Sequence, residues 1–223
     1  MKTLLIIVGV TAAALSSAQI SRSGNSYLFR MNYSPGMVLK YDVLSTIGGM
    51  SQNGQPMKFT LPMVWNVLSV KNGVSTIDTV VGPISMGGGK EPMVQATKNR
   101  IQLDKRGRLV GQPGTGQQVT PALPEKPIRV GQSWSASAPI NLPMQGEKKI
   151  SATYTFKGVK TVQGKPVAEL AVKTSGQANG TGTMLLLVKD GSLFRSQLKM
   201  DLMMTSANGS PTTYKVTADI NRK

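Results

Sequence analysis

From Met37 onward, apolar and polar positions alternate with period two over long stretches. Met37, Leu39, Tyr41 and Val43 share one face of a predicted strand, with Lys40 and Asp42 on the other. Ile150, Ala152, Tyr154 and Phe156 alternate with Ser151, Thr153 and Thr155. Phe194, Ser196, Leu198, Met200, Leu202 and Met204 alternate with Arg195, Gln197, Lys199 and Asp201, and Tyr214, Val216, Ala218 and Ile220 with Lys215, Thr217, Asp219 and Asn221. Successive side chains of a strand point to opposite faces. One-sided alternation therefore predicts antiparallel strands with one face buried and one wet.

Between the runs stand Asn72-Gly73, Lys105-Arg106-Gly107, Gln163-Gly164, Lys189-Asp190-Gly191 and Asn208-Gly209. Each puts a residue tolerant of positive φ where a hairpin needs one. Past the first residues, no stretch keeps apolar groups at i, i+3 and i+4, so no substantial helix is expected there. The expected fold class is all-β: an antiparallel curved sheet, or a partly closed barrel or sandwich, of roughly ten strands. Helix is expected only at the N-terminus.

Residues 1–18 explain that exception. Lys2 is a short positive start, Leu4 to Leu15 is apolar but too short to span a bilayer, and Ser16-Ser17-Ala18 offers small residues for cleavage. This is the pattern of a secretory signal peptide, so the mature chain is expected to begin near Gln19 with a short exposed start. Localisation in the periplasm or outside the cell follows.

The rest divides into a first β half (19–110), a Gly/Pro/Gln-rich connection (111–127) and a second β half (128–223). The halves carry the same punctuation in the same order. Ser34-Pro35-Gly36-Met37 answers to Arg129-Val130-Gly131-Gln132, the Asn72-Gly73 hairpin to the Gln163-Gly164 hairpin, and Lys105-Arg106-Gly107 to Lys189-Asp190-Gly191. This order fits two similar halves, and it also fits the spacing that any β meander shares.

At these residues a resemblance enters. "SPGMVLKYDVLS", "LPEKPIRVGQSW", "VQGKPVAELAV" and "LLVKDGSLFRSQLKMDL" resemble the patterns of uncharacterised secreted bacterial β-proteins (domains of unknown function). More distantly, the plan resembles the curved half-barrel of periplasmic lipoprotein and lipid carriers, without the helices that cap such a barrel. The resemblance implies an exported β-protein and assigns no functional residue.

Composition narrows the chemistry mainly by exclusion. The 223 residues contain no cysteine and no histidine. Disulfide scaffolds, lipobox anchoring, histidine-dependent triads and imidazole metal sites are thereby removed. Lys and Arg number 26 against 10 Asp and Glu; removal of Lys2 with the signal leaves +15. Such a charge favours weak, non-specific attraction to polyanions. The densest runs, such as Lys105-Arg106-Gly107-Arg108, are not interleaved with aromatics, so no specific nucleic-acid platform is expected.

Asp104 and Asp190 fall in turns that account for them without catalysis. A cross-strand pair such as Asp201 with Asp219 is the nearest approach to a glycosidase dyad. Gly114-Thr115-Gly116 and Gly180-Thr181-Gly182 lack the Lys and helix of a phosphate loop and read as flexible loops. The thirteen methionines read as core packing, since Met200 and Met204 share a face with Leu198 and Leu202. Trp65 alternates with Met63 and Val67 and reads as core; Trp134 reads as partly exposed.

No catalytic, cofactor-binding or metal site is therefore assigned. The expected function is non-enzymatic binding or structure in the cell envelope, with an apolar, lipid-like ligand on a concave β face and no membrane span once the signal is removed. The alternatives are a small outer-membrane β-barrel and a carboxylate-dependent hydrolase of an envelope polymer.

Overall fold

A computed structural model describes residues 20–48, 55–83, 85–86, 95–111, 122–142, 146–205 and 210–223. The signal-peptide expectation, Asn208-Gly209 and Gly114-Thr115-Gly116 fall outside them. The described residues contain strands and no helix. A short hairpin of β1 (Ile20–Ser23) and β2 (Ser26–Phe29) precedes the main sheet. The first half contributes β3 (Val38–Gly48), β4 (Met57–Lys71), β5 (Val74–Val81), the two-residue β6 (Ser85–Met86) and β7 (Thr97–Asp104). The second contributes β8 (Ser133–Leu142), β9 (Gly146–Val162), β10 (Lys165–Gly176), β11 (Ala178–Leu187), β12 (Leu193–Thr205) and β13 (Pro211–Arg222).

All pairings are antiparallel, in the order β7-β5-β4-β3-β13-β12-β11-β10-β9-β8, with β6 beside β4. The sheet is not closed; β7 and β8 are its two edges.

It is nevertheless rolled. Met31 N–H donates to the Lys105 carbonyl at 2.7 Å, and the next amide, Asn32, donates to the Asp190 carbonyl at 3.0 Å. Lys105 follows edge strand β7, and Asp190 lies between β11 and β12. In a flat sheet the five steps from β7 to β12 would span about 24 Å. Neighbouring amides reach both only because the sheet curls around the 27–33 segment.

The curl gathers one core. Leu39, Tyr41, Trp65, Ile77, Phe156, Leu170 and Leu186 pack in a single cluster with Phe29, Met31 and Leu123. The expected exposed start at Gln19–Ser26 holds at Ser21 to Asn25 and is corrected at Ile20. Ile20 is buried, and its N–H bonds to the Val188 carbonyl. A hydrophobic residue there gains more by covering the core than by staying wet.

Three register shifts re-aim side chains, between Val67 and Ser69, between Glu169 and Leu170, and between Leu185 and Leu186. The last moves Phe194 off the inner face. It packs outside with Val167, Leu185 and Leu187, which corrects its place in the alternation.

The two halves share more than punctuation. Gly36 N–H donates to Val67 O and Val67 N–H to Met37 O; Gly131 N–H donates to Phe156 O and Phe156 N–H to Gln132 O. Met37 N–H closes a turn on Ser34 O, as Gln132 N–H does on Arg129 O. Leu39 faces Trp65 as Trp134 faces Tyr154, and Ile77 faces Ile101 as Leu170 faces Met184. Leu103 meets Leu109 across a turn as Leu186 meets Leu193. Thus β3, β4, β5 and β7 correspond to β8, β9, β10 and β11.

Candidate functional site

Because directly opposed residues of an antiparallel pair point to the same face, register alone builds the inner surface row by row. One row runs Phe59, Ser45, Ala218, Leu198, Gly182, Val172, Tyr154 and Trp134. The next runs Met57, Ile47, Val216, Met200, Gly180, Thr174, Ala152 and Ala136. Neither contains a charge. The outward positions between them hold Lys58, Lys199 and Lys173. Ile47, Met57, Phe59, Leu198, Met200 and Val216 are only half-buried. These rows form an apolar concave surface that the sheet does not finish covering.

Two glycines shape that surface. A Cβ on Gly180 would stand 2.2 Å from Lys199 O, and one on Gly182 would stand 2.1 Å from Gln197 O. The bare backbone of β11 lets β12 fold inward at Leu198 and Met200. Gly180-Thr181-Gly182 is therefore strand, which corrects the expectation of a flexible loop. Glycine composition had suggested freedom where close approach was the need.

At the other end the chain plugs the interior. Phe29 packs on Phe156 (ring centroids 5.0 Å) and on Trp134 (5.9 Å). Leu123 and Ile128 are buried beside them, and Tyr27 and Ile128 exchange backbone bonds at 2.7 and 2.9 Å. The Arg30 guanidinium ties these strands of chain together by donating to Phe29 O at 2.6 Å, Pro124 O at 2.9 Å and Glu125 O at 2.7 Å. Burial, then the charge of Arg106, lowers its pKa.

A buried polar cluster lies in this floor. Asp190 Oδ1 accepts from Ser192 N–H at 2.9 Å and from the Ser192 hydroxyl. Arg222 Nη1 donates to Ser192 Oγ at 2.5 Å and stands 3.4 Å from Asp190 Oδ2. The hydroxyls of Tyr33 and Tyr41 are buried beside them without a partner among the described residues. Burial pushes both phenols up; the nearby Tyr41 and Asp190 push Tyr33 further, while Arg222 pulls back on both. Sequence reasoning missed this cluster. One more step of alternation beyond Ile220 would have put Arg222 on the apolar face, and a cation there demands a partner.

The other expected residues are distributed as follows. Trp65 is fully buried, its indole N–H 3.2 Å from Met63 Sδ. Trp134 is half-buried, donates to Ala122 O at 2.8 Å and stacks on Tyr154, whose phenol burial pushes up to about 12. Among the described residues, no carboxylate stands directly opposite another in the strand register. Asp104 closes its turn by accepting from the Arg106 and Arg108 amides, at 2.8 and 3.0 Å. Asp201 faces Lys215 and Asp219 faces Gln197, four positions apart along β13, so the register does not make them a pair. Among the described residues, no three metal-ligating side chains cluster, and no helix is long and apolar enough to cross a membrane.

No protein-family model matches this chain, and no curated protein sequence matches it. Among solved structures, a Bacteroides fragilis protein with a YmcC-like fold, provisionally described as exported, is similar over 85% of this chain and 97% of that one, at 9% identity and a TM-score of 0.37.

Proposed function

We propose that this chain is an exported, non-enzymatic protein of the cell envelope that holds an apolar, lipid-like ligand on its concave face. The export part rests on the pattern of residues 1–18. The ligand part rests on one observation: two charge-free inner rows, with Ile47, Met57, Phe59, Leu198, Met200 and Val216 half-exposed on a surface the sheet itself curls around. Apolar area left wet on a concave surface favours an apolar occupant. The hydroxyls of Ser196 and Thr174, buried and without a partner among the described residues, lie on the same inner face and add polar points to it.

The outer-membrane barrel is the weaker reading. Such a barrel carries its apolar band outward, whereas here the outward rows hold Lys40, Asp42, Asp201 and Lys215. The hydrolase reading has no directly opposed carboxylate pair among the described residues to support it.

Native mass spectrometry of the purified protein, followed by titration with a fluorescent fatty acid, tests the proposal. The expected result is a co-purifying lipid or saturable probe uptake, reduced at least tenfold by Val216→Asp. A protein that purifies empty and takes up no probe overturns the ligand reading.

A further inference from the structure

We infer that the concave face ends in a subsite for the uncharged ester head of an acylglycerol, an inference that rests on the ligand reading above. The strand register carries it. Along β3 and β13 the inner face reads Ile47 and Val216, then Ser45 and Ala218, then Val43 and Ile220, then Tyr41 and Arg222. The first three pairs are uncharged and half-buried, so one partly open strip runs down to the polar floor. From Ile47 to Tyr41 it covers about 20 Å of strand. An acyl chain fills half of a hydrocarbon core about 30 Å thick, hence about 15 Å. A chain lying along the strip therefore brings its head to the level of Tyr41 and Arg222.

The floor meets such a head with hydrogen-bond donors rather than with charge. The Arg222 and Asp190 side chains are 18% and 8% exposed and stand 3.4 Å apart, so the cation already has its anion. A carboxylate head would compete with Asp190 and leave a buried negative charge in excess. The phenols of Tyr33 and Tyr41 are different: both are buried with no partner among the described residues. So is the hydroxyl of Ser196, which faces Ile220 one row above Arg222. Burial pushes both phenols up, so they stay protonated donors. Each buried donor without an acceptor costs free energy that an incoming ester oxygen recovers. The floor is also held in place. Asn32 N–H donates to Asp190 O at 3.0 Å, and Gly191 lies so close under the Arg30 carbonyl that a Cβ has no room. Groups fixed in this way lose little freedom on binding. Val43 and Ile220 are the aliphatic side chains that the head pushes aside to reach them.

The probes are monopalmitin and palmitate, which share a chain and differ in the head, each displacing a fluorescent fatty acid from the intact protein. Monopalmitin should reach half-displacement at a concentration at least tenfold below that of palmitate. Tyr33→Phe with Tyr41→Phe should remove this preference and raise the urea midpoint at the same time, because the donors removed are unsatisfied in the free protein. If the phenols served the fold alone, binding and stability would fall together. Ser196→Ala should narrow the preference in the same direction, and it decides if the double variant misfolds. Equal displacement by the two probes, tighter binding of palmitate, or a preference that survives in the folded variants overturns the inference and leaves the ligand reading standing. Failure of the fluorescent fatty acid and of both probes to bind overturns the ligand reading, and the inference falls with it.

Discussion

At Tyr41, a phenol hydroxyl is buried without a partner among the described residues, next to a tyrosine in the same condition. Removing an unsatisfied hydroxyl removes a desolvation penalty, so Tyr41→Phe should stabilise the fold by about 1 kcal/mol. Arg222 is the opposite case, because its loss strands the buried carboxylate of Asp190. Arg222→Ala should cost about 3 kcal/mol. Urea unfolding of the two variants measures both, and a destabilised Tyr41→Phe would show that the hydroxyl is satisfied after all.

Asp78 makes the sign of a pH effect explicit. Hydrogen bonds from Arg100 (2.6 Å) and then Lys98 hold its carboxyl down at about 2, against an ordinary 3.8. A depressed carboxylate stabilises the folded state above its ordinary pKa and loses that contribution as pH falls through the folded value. The stability gap between wild type and Asp78→Asn should be constant above about pH 5 and close by about pH 2. A gap that widens on acidification would contradict the pairing.

On the scale of elements, strand β11 shows what alternation conveys and what it hides. A Cβ at Gly182 meets Gln197 O and the Leu198 Cα at 2.1 and 2.9 Å, both backbone atoms that cannot swing away. Gly182→Ala should therefore destabilise by about 3 kcal/mol and weaken any probe bound on the concave face. Unfolding and probe titration, run together, check this.

Leu39, Trp65 and Phe156 were legible as inner-face residues because period two fixes a face whatever the partner strand. The hairpins at Asn72-Gly73 and Gln163-Gly164 were legible because their turns need positive φ, which Asn72 (51°) and Gln163 (50°) adopt. Phe194 was misplaced because a register shift leaves no mark in a hydrophobicity pattern. The floor cluster was not seen because Asp190, Ser192 and Tyr33 come together only when distant turns meet. The concave face was legible as chemistry, whereas its end-plug by residues 20–33 is a tertiary fact with no local signature.

For the whole molecule, the outward cations are spread over many strands, with Lys40, Lys173, Lys199 and Lys215 all exposed. We propose that they make a diffuse field without a preorganised anion pocket. Such attraction is screened beyond about 8 Å at physiological ionic strength. Retention on heparin should be strong at low salt and largely gone at moderate salt; binding that survives high salt would reveal a specific site.

The position of β13 bears on how such a molecule comes into being. Strand β13, the last of the described strands in sequence, does not sit at a margin; it is wedged between β12 and the first strand of the main sheet, β3. Ribosomes deliver β3 long before β13, so the sheet has no midline until β13 is made. Everything made before that moment is two fragments with raw flanks, and the step that joins them spans almost the full sequence. Joining of the two flanks is therefore deferred to the twelve residues of β13, and until they emerge the strands made earlier depend on whatever shields their edges.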